Sequence, residues 1–254
     1  SLHAALMVQL PATLASDAEC FREAATQLEE QVHRSIYNVI LPLCIHHAAD
    51  DCDRLARRFH EMRTLLPCDM RIPPALWMLP QLSPPVSSAR ASAATATLEG
   101  SPRDPIEVLR WTSHTDARLP YSAAMQALRT IGFQRSPTQK ARVLLQVCEE
   151  VVKSVQRDAQ LREAGSGCAS TQTPRGSALG ADDLLPLMVY VVLRSRIASL
   201  PGELRYVADF LPEGHQHGTL GYALTSVMCA CRVALDLSWG CDSLMQPGLR
   251  GPDG

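Results

Sequence analysis

The sequence predicts an all-α protein, a layered helical bundle in which N-terminal helices pack on a helical core. Apolar residues recur at spacings of three and four in several long segments, which is typical of amphipathic helices. No segment shows the clean apolar–polar alternation of a half-exposed strand. Helical segments also do not alternate with strands, which argues against an α/β fold.

Composition excludes several classes of partner. Hydrophobic residues make up 46% of the 254 residues and charged residues 20%, as expected for a folded domain with a sizeable core. The formal net charge of -2 offers no basic surface for nucleic acid. The apolar segment 220–237 contains Arg232, so we expect no direct membrane insertion. The chain begins at Ser1 without a methionine, and we expect it to be a fragment.

The cysteines and histidines predict no metal site. None of the nine cysteines stands in a CxxC pair, which favours free thiols in a reducing compartment. Cys44, Cys148 and Cys229 fall on apolar stretches, where a thiol acts as a small hydrophobe. His215 and His217 form a weak HxH pair in a predicted loop, and solvated loop histidines are the better interpretation. We therefore predict no metal and no cofactor.

Two helices are predicted in the N-terminal part, residues 1–82. The first covers residues 17–47 and the second residues 48–65, and the prolines that follow end the helical pattern. Residues 83–105 are rich in Ser, Ala, Thr and Pro and lack large apolar side chains. Such a composition predicts a mobile insertion, which we extend to residues 83–118.

A core is predicted at residues 119–240, followed by a tail at 241–254. Residues 164–180 are rich in Gly, Ser and Thr and predict a flexible loop inside the core. The predicted core helices are residues 121–131, a helix that begins at Pro137 with Ser136 as its cap, residues 182–200 and residues 221–237.

The segment 182–200 is apolar on all sides and has two interpretations. Its β-branched run would suit a buried strand. A helix explains more, because an Asp stands at its start, Pro186 lies near the first turn, and Arg194 and Arg196 lie at its C-terminal end. We predict a central helix that is surrounded by others.

Motifs of common enzymes are absent from the sequence. It contains no GxxxxGK[ST] phosphate loop, no GxGxxG fingerprint, no GxSxG elbow and no HExxH helix. Acidic pairs such as Glu149 and Glu150 are adjacent rather than convergent, and we interpret them as solvated helix faces. The sequence therefore predicts no covalent chemistry, and hence no enzyme in that sense.

Several segments together resemble a known family. They are GADDLLPLMVYVVL at 180–193, LRYVADF at 204–210 and the pair Gly221 and Tyr222 followed by Thr225. Looser agreement comes from Ser35, Ile36 and Tyr37, and from Ser136 and Pro137 with Lys140. These residues are similar to the VPS9 (vacuolar protein sorting) domain, the exchange domain of the Rabex and Rin proteins.

The resemblance implies a function as well as a fold. The family promotes GDP release from small GTPases of the Rab5 subfamily on endosomes, so the expected partner is a GDP-bound or nucleotide-free Rab GTPase. The expected location is cytoplasmic, peripheral to early endosomes. The family's acidic finger falls on Asp182, its helix-opening proline on Pro186, and its Tyr and Thr on Tyr222 and Thr225. The expected GTPase-binding residues are Leu185, Pro186, Val189, Tyr222 and Thr225.

A carboxylate suits the role of a finger for electrostatic reasons. Backbone amides, a lysine and Mg²⁺ hold the phosphates of a guanine nucleotide. A carboxylate brought into that site repels the β-phosphate, attracts the lysine and disfavours the bound metal. Two unit charges about 4 Å apart at an effective dielectric of about 20 interact by about 4 kcal/mol. That energy corresponds to roughly three decades in an equilibrium constant.

Simpler interpretations stay open. Asp182 can act as a helix cap alone, Tyr222 as an edge of the core, and Thr225 as a donor to a preceding helix carbonyl. The family often has Gly-Glu ahead of the Tyr and an aromatic after it, whereas Leu220 and Ala223 stand nearby here. Alternative functions are a Rab-binding module with weak or no exchange activity, and a scaffold that binds trafficking proteins through residues 17–66.

Overall fold

The computed structural model describes residues 18–70, 72–78, 119–165 and 180–237. Eight α-helices make up most of these residues, and no strand occurs among them. The all-α prediction is therefore confirmed. The predicted insertion at 83–118 and the tail at 241–254 lie outside the described residues, apart from the first segment's neighbours, and so do residues 166–179 of the predicted loop.

The helices fall into an N-terminal pair and a group of six. Three short 3-10 turns, Pro67–Met70, Pro74–Leu76 and Thr130–Phe133, lie between them. The α-helices are α1 (Ala18–His47), α2 (Ala49–Glu61), α3 (Ser122–Arg129), α4 (Pro137–Gly165), α5 (Ala181–Ser195), α6 (Leu200–Phe210), α7 (Glu213–Gln216) and α8 (Thr219–Asp236).

Most helix boundaries follow the sequence signals. The Gln139 N–H donates to Ser136 Oγ at 3.3 Å, so Ser136 caps α4 as predicted and Pro137 is the first helical residue. The segment 182–200 is helical rather than extended. It ends earlier than predicted, because Arg196 adopts a left-handed conformation with φ 58° that closes α5 after Ser195.

Helix α5 lies at the centre of the core. It packs against α8, α3 and α2, and residues 187–193 are all buried. A helix that is apolar on every side needs such surroundings, so the prediction of a central helix is confirmed. Helix α4 packs on α3 and α8, while α1 lies along α6. The N-terminal helices therefore pack on the helical core, as predicted.

The thiols of the described cysteines are free. Cys44 and Cys148 are buried as predicted, and desolvation raises the pKa of Cys148 to about 11. Cys229 was expected to be buried as well, and this expectation is wrong. Val227, Ala230 and Cys231 face the core in that turn of α8, which leaves Cys229 exposed.

A buried ion pair connects three helices. Lys140 Nζ on α4 lies 2.6 Å from Glu203 Oε2 on α6, and only 0% and 4% of these side chains are exposed. Lys140 also donates to the Tyr37 hydroxyl of α1 at 3.0 Å and to the Ile131 carbonyl at 2.7 Å. Burial lowers the pKa of Lys140 and raises that of Glu203, while their mutual attraction opposes both shifts.

Tyr206 of α6 extends this connection. Its hydroxyl donates to the Arg135 carbonyl at 2.9 Å and lies 3.1 Å from His33 Nδ1 of α1. The rings of Tyr206 and Tyr37 meet edge to face, with centroids 5.7 Å apart. Tyr37, Lys140 and Tyr206, which were singled out in three separate segments of the sequence, thus meet in one buried cluster.

We expect Lys140→Met to lower the free energy of unfolding by about 3–5 kcal/mol, because it leaves the Glu203 charge buried without a partner. Urea unfolding followed by circular dichroism measures this loss. The matched control is Lys153→Met, also on α4, whose exposed ammonium pairs only with Glu149 and Glu150. Its unfolding midpoint should stay close to wild type. Equal losses for the two variants would contradict a stabilising role of the buried pair.

Candidate functional site

Asp182 lies in the first turn of α5, and its side chain is exposed. Gly180 rather than Asp182 is the cap: its carbonyl accepts the N–H groups of Asp183 and Leu184 at 3.1 and 3.0 Å. Asp182 is the second residue of the helix, so the interpretation as a cap alone is wrong. A carboxylate in this turn still interacts favourably with the helix dipole.

Pro186 weakens the backbone bonding of the turn that carries Asp182. It is the sixth residue of α5 and is half-buried. Because proline has no N–H, the Asp182 carbonyl cannot receive the usual bond from four residues later, and the proline ring crowds the same carbonyl. The spacing of four residues therefore places the break in the helix ladder at the acidic residue.

The opposite end of α5 is anchored by arginines. Arg129 donates from Nε to the Ser195 carbonyl at 3.2 Å and from Nη2 to the Arg194 carbonyl at 3.4 Å. These bonds satisfy carbonyls that a helix C-terminus leaves without partners. Arg194 in turn donates to the Arg63 carbonyl after α2. Asp182 thus projects from the first turn of a helix whose later turns are fixed in the core.

The other expected binding residues divide into surface and core positions. Leu185 is 37% exposed and Tyr222 is 59% exposed. Thr225 is exposed too, and its hydroxyl donates to the Gly221 carbonyl at 2.9 Å, as the simpler interpretation expects. Val189 is fully buried, so it is not a surface contact and its prediction is wrong. One turn beyond Leu185, α5 is covered on all sides.

Gly221 explains how Tyr222 reaches the surface. A Cβ atom at Gly221 would lie 1.7 Å from the Gln216 carbonyl oxygen, so the backbone at the end of α7 crosses the first turn of α8 there. Gln216 fixes this crossing by donating from its side-chain amide to the Leu211 carbonyl at 2.8 Å. The Gly-Tyr pair therefore joins a close backbone crossing to an exposed ring.

A groove of about 470 Å³ brings three helices together at this surface. Leu184 of α5 and Tyr222 of α8 form two of its sides. The third side is α4, which contributes Val152 and Gln156 among others. No pattern in the sequence points to Leu184 or to α4 as part of the site. The four-residue spacing on α4 reveals a shared helix face, but the sequence does not place that face beside α5 and α8.

The described residues offer no group of three His, Cys, Asp or Glu side chains that is arranged to hold a metal ion. Within the same part of the chain, no helix has both the length and the apolar character needed to cross a membrane. His215 lies in α7 rather than in the predicted loop, and His217 follows directly after that helix.

We expect Gly221→Ala to destabilise the protein by about 1–3 kcal/mol, because the added methyl group collides with backbone and not with a flexible side chain. Thermal unfolding measures the effect. Gly214→Ala on α7 is the control, since its methyl group would meet nothing within 4 Å. A Gly221→Ala variant as stable as Gly214→Ala would contradict the close crossing.

Comparisons with known proteins agree with this geometry. The family model "Vacuolar sorting protein 9 (VPS9) domain" matches residues 121–238, which contain α3 to α8. VPS9 domain-containing protein 1 of Homo sapiens is 32% identical over 111 residues, which cover 44% of this chain and 17% of that protein. Alsin of Homo sapiens is 31% identical over 107 residues, covering 42% of this chain and 6% of that protein.

A third relative is Ras and Rab interactor 2 of Homo sapiens, which is 30% identical over 91 residues, covering 36% of this chain and 8% of that protein. The chain thus matches no more than 17% of the length of these three relatives. The matched segment contains Asp182, Pro186 and the groove beside them. Residues 121–238 therefore form a VPS9 domain, a domain type of exchange factors for small GTPases.

Proposed function

We propose that this chain is a guanine nucleotide exchange factor for small GTPases of the Rab5 subfamily in endocytic trafficking, with Asp182 as its acidic finger. The observation that carries the proposal is an exposed carboxylate at the free end of an otherwise buried helix, inside a VPS9 domain. One relative, Ras and Rab interactor 2, is named for interaction with such GTPases. The proposed location is cytoplasmic, peripheral to early endosomes.

The charges at the start of α5 favour nucleotide release. A helix N-terminus carries about +0.5 of a charge, which by itself attracts phosphate. Asp182 and Asp183 bring two full negative charges to the same turn. The balance is therefore negative, and this turn repels a β-phosphate while attracting the lysine that holds it.

Exchange also needs stronger binding to the open GTPase than to the closed one, because only differential affinity shifts an equilibrium. Repulsion by Asp182 disfavours the nucleotide-bound form. The groove beside it supplies the complementary part, since it can bind a loop that has moved away from the nucleotide. Tyr222 offers an exposed aromatic body with a polar tip, which is a common interface anchor.

We expect Asp182→Asn to slow GDP release by about 100-fold or more, because it removes the charge and keeps the shape. Release of fluorescent GDP from a panel of Rab5-subfamily GTPases measures this rate. Asp183→Asn is the matched control: it lies in the same turn, is half-buried, and should retain most of the activity. Asp182→Ala should behave like Asp182→Asn with unchanged helical content. A wild-type protein that accelerates none of the GTPases, although folded, would refute the proposal.

A second candidate is a Rab-binding module of the same fold with weak or no exchange activity. Ala223, which stands where the family often has an aromatic, is fully buried and adds nothing to the exposed surface. Such a module would bind its GTPase equally well with and without nucleotide. We expect instead at least 10-fold tighter binding to the nucleotide-free form. Equal affinities, measured by calorimetry, would favour the second candidate.

A further inference from the structure

We propose that α4 selects the partner: Val152 and Gln156 contact the GTPase loop that Asp182 displaces, and they determine which GTPase is bound. This inference rests on the proposed function and deepens it. The helices with the expected finger and tyrosine form only two sides of the groove, and α4 completes it.

The residues of α4 form a continuous row along the groove. Cys148, Val152 and Gln156 follow each other at intervals of four, so they lie on one helix face, and all three line the groove. Cys148 is buried and forms part of the floor. Val152 is half-buried and Gln156 is exposed. The row thus passes from an apolar floor to a polar rim.

The groove suits an extended loop that inserts an apolar side chain. Val152, Leu184 and the ring of Tyr222 supply apolar surface on three sides. The Gln156 amide can both donate and accept hydrogen bonds, as the backbone of an extended segment requires. A volume of about 470 Å³ is in the range of small-ligand sites, so it accepts a few side chains rather than a whole helix.

Charges around the groove favour a loop with basic residues. On α4, the Lys153 ammonium lies 3.5 Å from Glu149 and 3.1 Å from Glu150, so its charge is more than balanced by two carboxylates. Asp182 and Asp183 add two further carboxylates at the start of α5. An acidic surface of this kind speeds the approach of a positively charged partner segment and disfavours an acidic one.

The position of the groove identifies the loop as part of the GTPase that the finger enters. Leu184 is two residues after Asp182, a distance of about 3 Å along a helix axis. A chain segment displaced by Asp182 is therefore next to the groove. Hydrophobic pockets distinguish side chains that differ by one methylene by about 10- to 200-fold, so the size of Val152 is sufficient to rank related GTPases.

The test compares Val152→Asp with Gln146→Asp on the same helix, which is exposed and does not line the groove. We expect Val152→Asp to raise the half-saturating GTPase concentration at least 10-fold, while the rate at saturation stays within about twofold of wild type. Gln146→Asp should leave both unchanged. Asp182→Ala should show the opposite pattern, with a lower maximal rate and retained binding of the nucleotide-free GTPase.

A second variant keeps the test decisive if Val152→Asp does not fold. Gln156→Arg changes an exposed side chain, so we expect normal folding and a change of at least fivefold in the relative rates across a GTPase panel. Wild-type half-saturation and ranking in the folded groove variants, with Asp182→Ala inactive, would overturn the role of α4 alone. If wild type exchanges no nucleotide, the proposed function fails. Binding of nucleotide-free GTPase then decides: loss in the groove variants supports the role of α4, and unchanged or absent binding overturns it.

Discussion

The buried contact between Lys140 and Glu203 is the constraint on which the rest of the structure depends. Removing two charges from water is costly, and only close pairing with further hydrogen bonds offsets that cost. Lys140 reaches this state in one arrangement, in which α1 supplies the Tyr37 hydroxyl and α6 supplies the carboxylate. The pair therefore fixes the register of α4 against both helices. Since α4 also lines the groove, the same contact positions the functional surface and unites the N-terminal helices with the VPS9 domain.

Helix α5 meets two opposite requirements at its two ends. Its middle and C-terminal turns are buried and anchored by Arg129, which makes the helix a rigid support. Its first turn holds an exposed carboxylate and lacks one ladder bond because of Pro186. A finger needs both properties, because a carboxylate on a mobile support would lose its electrostatic effect to disorder. Gly221 plays a corresponding role on α8, where a close backbone crossing fixes the turn that exposes Tyr222.

The sequence was sufficient for those features that depend on local chemistry. Helical periodicity predicted the all-α fold, Ser136 and Pro137 predicted the start of α4, and the apolar run after Asp182 predicted a central helix. Errors arose where burial depends on tertiary packing. Val189 follows Leu185 at a spacing that keeps both on one helix face, yet the surrounding helices cover α5 beyond its first turn. The groove was not predictable, because its sides come from helices that are far apart in the sequence and meet only in the folded core.

The central claim is that the Asp182 carboxylate promotes release of the nucleotide by its charge. The most direct measurement is the rate of fluorescent GDP release from a Rab5-subfamily GTPase at saturating concentrations of wild-type protein and of Asp182→Asn. The account predicts fast release with wild type and near-intrinsic release with Asp182→Asn, although both bind the nucleotide-free GTPase. Equal acceleration by the two proteins would contradict it, since the shape of the finger would then be sufficient without the charge.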